Sequence, residues 1–251
     1  MFELLELDRI DYLGRKLDKK MFYDNADLSK DDKKIFVDYI SRIEMSYVIN
    51  SKNLNIQPLV NEDYRYESII YLKIMLKKDD KLDKISKIIN NAIPNPLVIV
   101  FEFEDKYKIS TAIKRLSKSE ADKVVIEESR MTTWIGVKYL SEDEEKFLKS
   151  ISLSGLPYSN LFDFYKVMND KIYIFEKCET VGKYEDIIDK NKLEVSKNIS
   201  QKIETLEKEL KKTISKLRRE SQFNKKMELN VKAFQLKREI EELKIILSRK
   251  I

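Results

Sequence analysis

The nearest approach to a reactive set in this chain is the run "FEFEDKYK", which carries Glu102, Glu104 and Lys106. Carboxylates two apart on a strand project to one face. A pair of them, backed by lysine, is the toolkit of a divalent-metal nuclease, in which the metal polarises the phosphodiester and generates the nucleophile. Such a site needs a further carboxylate on a neighbouring strand, for which Glu67 is a candidate. The ordinary reading of the same residues is an exposed strand face of alternating charge.

The rest of the inventory removes more chemistry than it offers. There is no histidine and a single cysteine, Cys178, so Ser-His and Cys-His nucleophile pairs and zinc sites built from Cys and His are excluded. Cys178 reads as a small buried hydrophobe. The four glycines, Gly14, Gly136, Gly155 and Gly182, stand apart from one another, and neither a dinucleotide fingerprint nor a Walker loop can be written. No resident cofactor or metal is expected. One cysteine also forbids an intramolecular disulfide, and no signal-peptide core opens the chain, so a cytoplasmic protein is the expectation. The longest apolar run, "PLVIVF", is far too short to span a bilayer. Trp134, the only tryptophan, reads as an aromatic anchor at the end of the strand-rich block.

The elements that would hold these residues are legible as periodicities. "LSKDDKKIFVDYISRIEMSYVI" opens with a Ser29/Asp32 helix-entry pair and spaces Ile35, Ile40, Ile43, Tyr47 and Val48 along one helical face. "YRYESIIYLKIML" and the hairpin "PLVIVFEFEDKYKISTAIKRL" read as strands, with a short helix ended by Pro94 between them and a further strand in "KVVIEES". Ser141 and Glu144 form a second capping box, and another helix follows Gly155 and Pro157. The fold class predicted is α+β: a small antiparallel sheet of three or four strands with helices packed on one face, plus a long C-terminal helical arm. The body spans 1–182 and the arm 183–251.

Charge is concentrated in the arm. From Lys192 to Ile251 there are 17 Lys and Arg against 9 Glu, although the whole chain is only +5. Leu229, Ala233, Leu236, Ile240, Leu243 and Leu247 follow heptad spacing, and Ile199, Ile203, Leu206, Leu210, Ile214 and Leu217 form a similar stripe upstream. Between the stripes the phase slips. Either a helical hairpin turns near Ser221, its hydroxyl capping the second arm, or one continuous helix changes phase. Leu229, Leu236, Ile240, Leu243 and Leu247 are the candidates for protein contact. Lys226, Lys237 and Lys244 fall on one flank of that seam and are the candidates for nucleic-acid contact, although coiled coils also keep charges there. Met227, Val231 and Phe234 lie on the side away from the seam.

Several phrases together resemble one known family. "KKMFYDNADLSKDDKKIFVDYISRIEMSYVI" followed by "NLNI", then "AIPNPLVIVFEFEDKYKISTAIK", "TTW", "GLPYSNLFDFY" and "SQFNKKMELN" resemble, in that order, the bacterial family catalogued as domain of unknown function 4391. The resemblance spans nearly the whole chain. It departs in the hairpin's second strand, where members commonly carry an aromatic before the lysine and this chain has "TAIKR". Family members are often encoded beside helicases and DNA methyltransferases of restriction-like defence clusters, and the family supplies no catalytic residues to carry over. The resemblance therefore implies a non-catalytic accessory protein of a restriction or phage-defence system, docking a helicase or methyltransferase through the arm, with DNA a further candidate partner and no membrane. The alternatives are a metal-dependent nuclease or nucleic-acid-processing subunit using Glu102, Glu104 and Lys106, and a structural coiled-coil oligomer that self-associates through the arm.

Overall fold

The structure, a computed structural model, describes residues 1–25, 28–120, 123–136, 138–181 and 190–250. It divides into two compact units, Met1–Glu176 and Lys177–Ile251. The boundary expected from sequence, between 182 and 183, and the side chain of Cys178 lie outside what is described.

The first unit is built on a mixed sheet. In chain order its elements are β1 (Arg15–Leu17), α1 (Lys19–Asn25), α2 (Lys30–Tyr39), β2 (Ile40–Asn50), α3 (Ser51–Leu54), β3 (Leu59–Val60), β4 (Arg65–Tyr66) and β5 (Ser68–Leu76). There follow α4 (Leu82–Ala92), β6 (Leu97–Phe103), β7 (Lys106–Leu116), β8 (Val124–Met131), β9 (Ile135–Gly136), α5 (Glu142–Ser150) and α6 (Leu161–Val181). Strands run in the order β1-β2-β5-β6-β7-β8, with β9 added beside β7 to make seven, and β3 pairs with β4 separately. Every pairing in the seven-stranded sheet is antiparallel except β5 with β6, which run parallel because α4 carries the chain back between them. The α+β class holds, but the sheet is larger than expected and mixed.

Two capping boxes form as read. The Ser29 hydroxyl accepts from the Asp32 amide while the Asp32 carboxylate accepts from the Ser29 amide, and Ser141 and Glu144 do the same at α5. The helix begun at Ser29 does not continue to Val48, however. It ends at Tyr39, and Ile40–Asn50 is strand. The register of β2 against β5 slips between Met45 and Tyr47. That slip moves the apolar residues from the 43, 45 side to 48 within one strand, which produces the helix-like spacing that misleads a periodicity reading.

Helices cover both faces of the sheet, not one. Ile43, Ile70, Leu72, Ile74, Leu97, Ile99 and Phe101 pack with Phe22 of α1, Phe36 of α2 and Leu82, Ile85 and Ile89 of α4 in one continuous core. Adjacent strand residues alternate sides, and the side-chain bonds follow that alternation. Ser110 meets Ser86 of α4 at 2.9 Å, whereas Thr111 donates to Asn169 Oδ1 of α6 at 2.8 Å. On the α6 side Tyr165 is fully buried, its hydroxyl donating to Leu97 O at 2.5 Å and accepting from the Ala112 amide at 2.9 Å. Phe147 of α5 stacks on Phe175 with centroids 4.1 Å apart.

The second unit contains two long helices, α7 (Lys190–Arg219) and α8 (Phe223–Lys250), joined by three residues into an antiparallel hairpin. Of the two arrangements left open by the sequence, the hairpin is the one formed. The turn falls at Ser221, but the cap is not the Ser221 hydroxyl. Glu220 Oε1 accepts from the Ser221 and Gln222 amides at 2.9 Å each. A carboxylate at the N-terminal end of α8 both satisfies orphan amides and opposes the helix dipole favourably. Ile203, Ile240 and Leu247 form the buried centre of the seam, with Ile199, Leu206, Leu210 and Leu243 packed against it.

Candidate functional site

The carboxylate grouping is not assembled by the fold. Strand β6 ends at Phe103, and Glu104 occupies the two-residue turn to β7 with φ of 52°, a left-handed conformation that a tight hairpin requires of its first loop residue. Glu104 is therefore not on the strand with Glu102. Cross-strand partners share a face: Glu102 lies opposite Tyr107, and Phe103 opposite Lys106. Glu102 and Lys106 consequently project to opposite sides of the sheet. Glu102 is held by Lys73 at 2.6 Å, and Glu67 pairs with Arg65 at 2.5 Å beyond the end of β4. Among the described residues no three acidic, cysteine or histidine side chains are grouped so as to hold a metal ion.

Lys106 instead belongs to a cluster that sequence reading missed. Its ammonium donates to Asp79 at 3.0 Å and stands 4.6 Å from the Trp134 ring centre, while Lys108 stands 5.3 Å from the same ring and Phe103 flanks it at 6.4 Å. Trp134 also packs against the α4-side core. It is the aromatic anchor expected, with two cations against its π face. The only sequence signal for this cluster is the i, i+2 spacing of Lys106 and Lys108 on β7.

A second feature hidden in the sequence is Lys114, 2% exposed in the middle of an apolar stretch of β7. Its Nζ donates to Ile93 O at 2.7 Å and Asn95 O at 2.8 Å, the carbonyls that leave the C-terminal end of α4. Its backbone is clasped by the Tyr66 hydroxyl, which accepts from Lys114 N at 3.1 Å. Burial pushes the ammonium down to about 7. The two carbonyls favour the charged form and act the other way. A lysine neutral near pH 7 is the form that works as a nucleophile or base, and this one borders a cleft of about 550 Å³ shared with Arg65, Glu67, Arg115 and Lys123. Its amine is turned into the loop carbonyls, which makes it a pin between β7 and the "IPNP" loop.

The hairpin is where most of the sequence-predicted residues meet. Leu236, Ile240 and Leu247 are buried and Leu229 and Leu243 half-buried, Ile240, Leu243 and Leu247 in the seam against α7, so this apolar stripe is largely spent inside the chain. Three ion pairs cross between the arms: Lys202 with Glu239 at 2.9 Å, Lys232 with Glu209 at 2.7 Å, and Lys244 with Glu207 at 3.3 Å. Lys244 is thus committed to the hairpin, while Lys226 and Lys237 are exposed and have no ion-pair partner among the described residues. The side of α8 away from α7 exposes Met227, Val231 and Phe234, the last 70% exposed.

Fold and site together define an α+β protein with a two-faced mixed sheet and an appended antiparallel helical hairpin, in which no reactive constellation is assembled among the described residues. The chain belongs to the family described as "Domain of unknown function (DUF4391)", which it matches over residues 11–240, a span that takes in the sheet, both helical layers and most of the hairpin. No curated protein and no solved structure is similar enough to count as a match. None of the helices, among the described residues, is long and apolar enough to cross a membrane.

Proposed function

We propose that this protein is a non-catalytic accessory subunit of a DNA restriction or phage-defence system, and that its hairpin docks a partner enzyme, a helicase or methyltransferase encoded with it. The single observation that carries this reading is the outward side of α8. Met227, Val231 and Phe234 follow i, i+4, i+7 spacing and remain exposed, which is the anchor pattern of a helix laid into a groove. The seam leucines serve docking indirectly, by holding α8 straight against α7. Lys237 and Arg238 follow Phe234 at i+3 and i+4 on α8, so the complementary surface is an apolar groove rimmed by carboxylates.

The test is titration of the purified neighbouring helicase and methyltransferase with the full chain and with its Phe234→Glu variant. Phe234 is exposed, so the substitution leaves the hairpin folded. Binding by the wild type that falls more than tenfold in the variant is the expected result. Failure to bind either enzyme sinks the proposal. A concentration-dependent homodimer lost in Phe234→Glu would favour the self-associating oligomer.

A further inference from the structure

A separate surface of the hairpin, its turn, carries an unbalanced charge that protein docking at the Phe234 face does not use. From Lys211 to Lys226 there are seven cations, Lys211, Lys212, Lys216, Arg218, Arg219, Lys225 and Lys226, against one acid, Glu220. All seven are exposed, and none has an ion-pair partner among the described residues, in contrast to Lys202, Lys232 and Lys244 further down the arms. The sole acid is occupied, since its carboxylate caps α8 through the Ser221 and Gln222 amides, and Lys225 and Lys226 hold it below the usual carboxylate range behind those bonds. The turn brings the end of α7 and the start of α8 together, so cations far apart in sequence border one space. Lys216 and Arg219 from the first arm and Lys225 and Lys232 from the second line a cleft of about 570 Å³, with Glu228 and Leu229 at its side.

We propose that the tip of this hairpin binds the phosphate backbone of duplex nucleic acid. Cations on two helices flanking one cleft can meet successive phosphates, and a mixture of arginine and lysine suits backbone contact without base readout. The described side chains at the turn itself, Ser221 and Gln222, are polar, which favours a phosphate backbone over the interior of a lipid surface. The surface is distinct from the Phe234 face, so the two assignments stand or fall separately. Of the lysines singled out from sequence, Lys226 belongs to this tip, Lys237 lies further along α8, and Lys244 is withdrawn into its pair with Glu207.

The experiment measures affinity of the full chain for a labelled duplex of about 30 base pairs across a salt series, alongside anionic phospholipid vesicles. It compares the wild type with Lys216→Gln, Arg219→Gln, Lys225→Gln and Lys226→Gln combined. A charge-matched control replaces Lys30, Lys33, Lys34 and Lys87, all exposed on the first unit. Each phosphate contact contributes about 0.9 to the log-log salt slope, so four lost contacts flatten it by roughly 3 to 4 and weaken binding at about 0.1 M salt by more than tenfold. The control variant keeps the wild-type slope. Absence of duplex binding at low salt, equal losses in the tip and control variants, or binding to vesicles with none to duplex would each overturn the assignment. Loss of duplex binding in the tip variant with partner binding intact separates this inference from the docking proposal.

Discussion

Replacing Lys114 with methionine should change how the stability of the first unit depends on pH. The lysine is 2% exposed and its ammonium is pushed by burial from 10.5 down to about 7. Below pH 7 both the folded and the unfolded chain carry the proton, so Lys114 contributes no slope. Between 7 and 10.5 the unfolded chain binds a proton that the folded chain has released, and folding stability therefore rises with pH. Above 10.5 both forms are neutral. The slope inside that window is about 1.4 kcal/mol per pH unit, and the total is at most ~5 kcal/mol, reduced to the extent that the bonds to Ile93 O and Asn95 O hold the charge in place. Methionine fills a similar volume and does not titrate. It also leaves two loop carbonyls without their donor, at about 1 to 3 kcal/mol each if no water replaces it, but that offset is the same at every pH. The assay is urea unfolding at pH 6, 7, 8 and 9 followed by fluorescence of Trp134, the single tryptophan, which packs against the same core. Wild type minus variant should rise across pH 7 to 9 and be flat below. A difference that stays constant from pH 6 to 9 would refute the reasoning and show that the carbonyl bonds keep the ammonium charged throughout.

Leu247→Ala, at a side chain 1% exposed in the seam, should destabilise the hairpin by about 2 to 5 kcal/mol, read as faster amide exchange along α7 and α8; exchange unchanged from wild type would show that the seam is not what holds the arms together. The purified protein should leave DNA and RNA uncut in Mg²⁺ or Mn²⁺, because Glu102 and Lys106 face opposite sides of the sheet; cleavage abolished by Glu102→Ala would restore the nuclease reading.

Local signals were the legible ones. Ser29 with Asp32 and Ser141 with Glu144 announce two helix starts because a capping box is written within four residues. The phase slip between Leu217 and Leu229 marks the place of the turn, since two stripes that disagree cannot share one straight face, but it leaves a hairpin and a continuous helix that changes phase both open. What escaped depends on pairing at a distance. The parallel register of β5 on β6 follows from where α4 returns the chain, and nothing within either strand distinguishes it from an antiparallel neighbour. Glu104 reads as a strand residue beside Glu102 because its turn, Glu104-Asp105, lacks the glycine-containing pair that usually marks a two-residue hairpin loop. Lys114 drew no reading from the sequence because its partners, the Ile93 and Asn95 carbonyls some twenty residues earlier, have no side-chain signature.

Two heptad stripes laid side by side would accept several alignments, each offset by seven residues or about 10 Å along the helices. The three-residue turn capped by Glu220 removes that freedom. A slip of one heptad would have to unwind about two helical turns at the end of one arm and would part Lys202 from Glu239 and Lys232 from Glu209. The hairpin is therefore a ruler with a fixed zero: the distance from its turn to Phe234 is set by covalent connectivity and does not depend on how well the apolar stripes match.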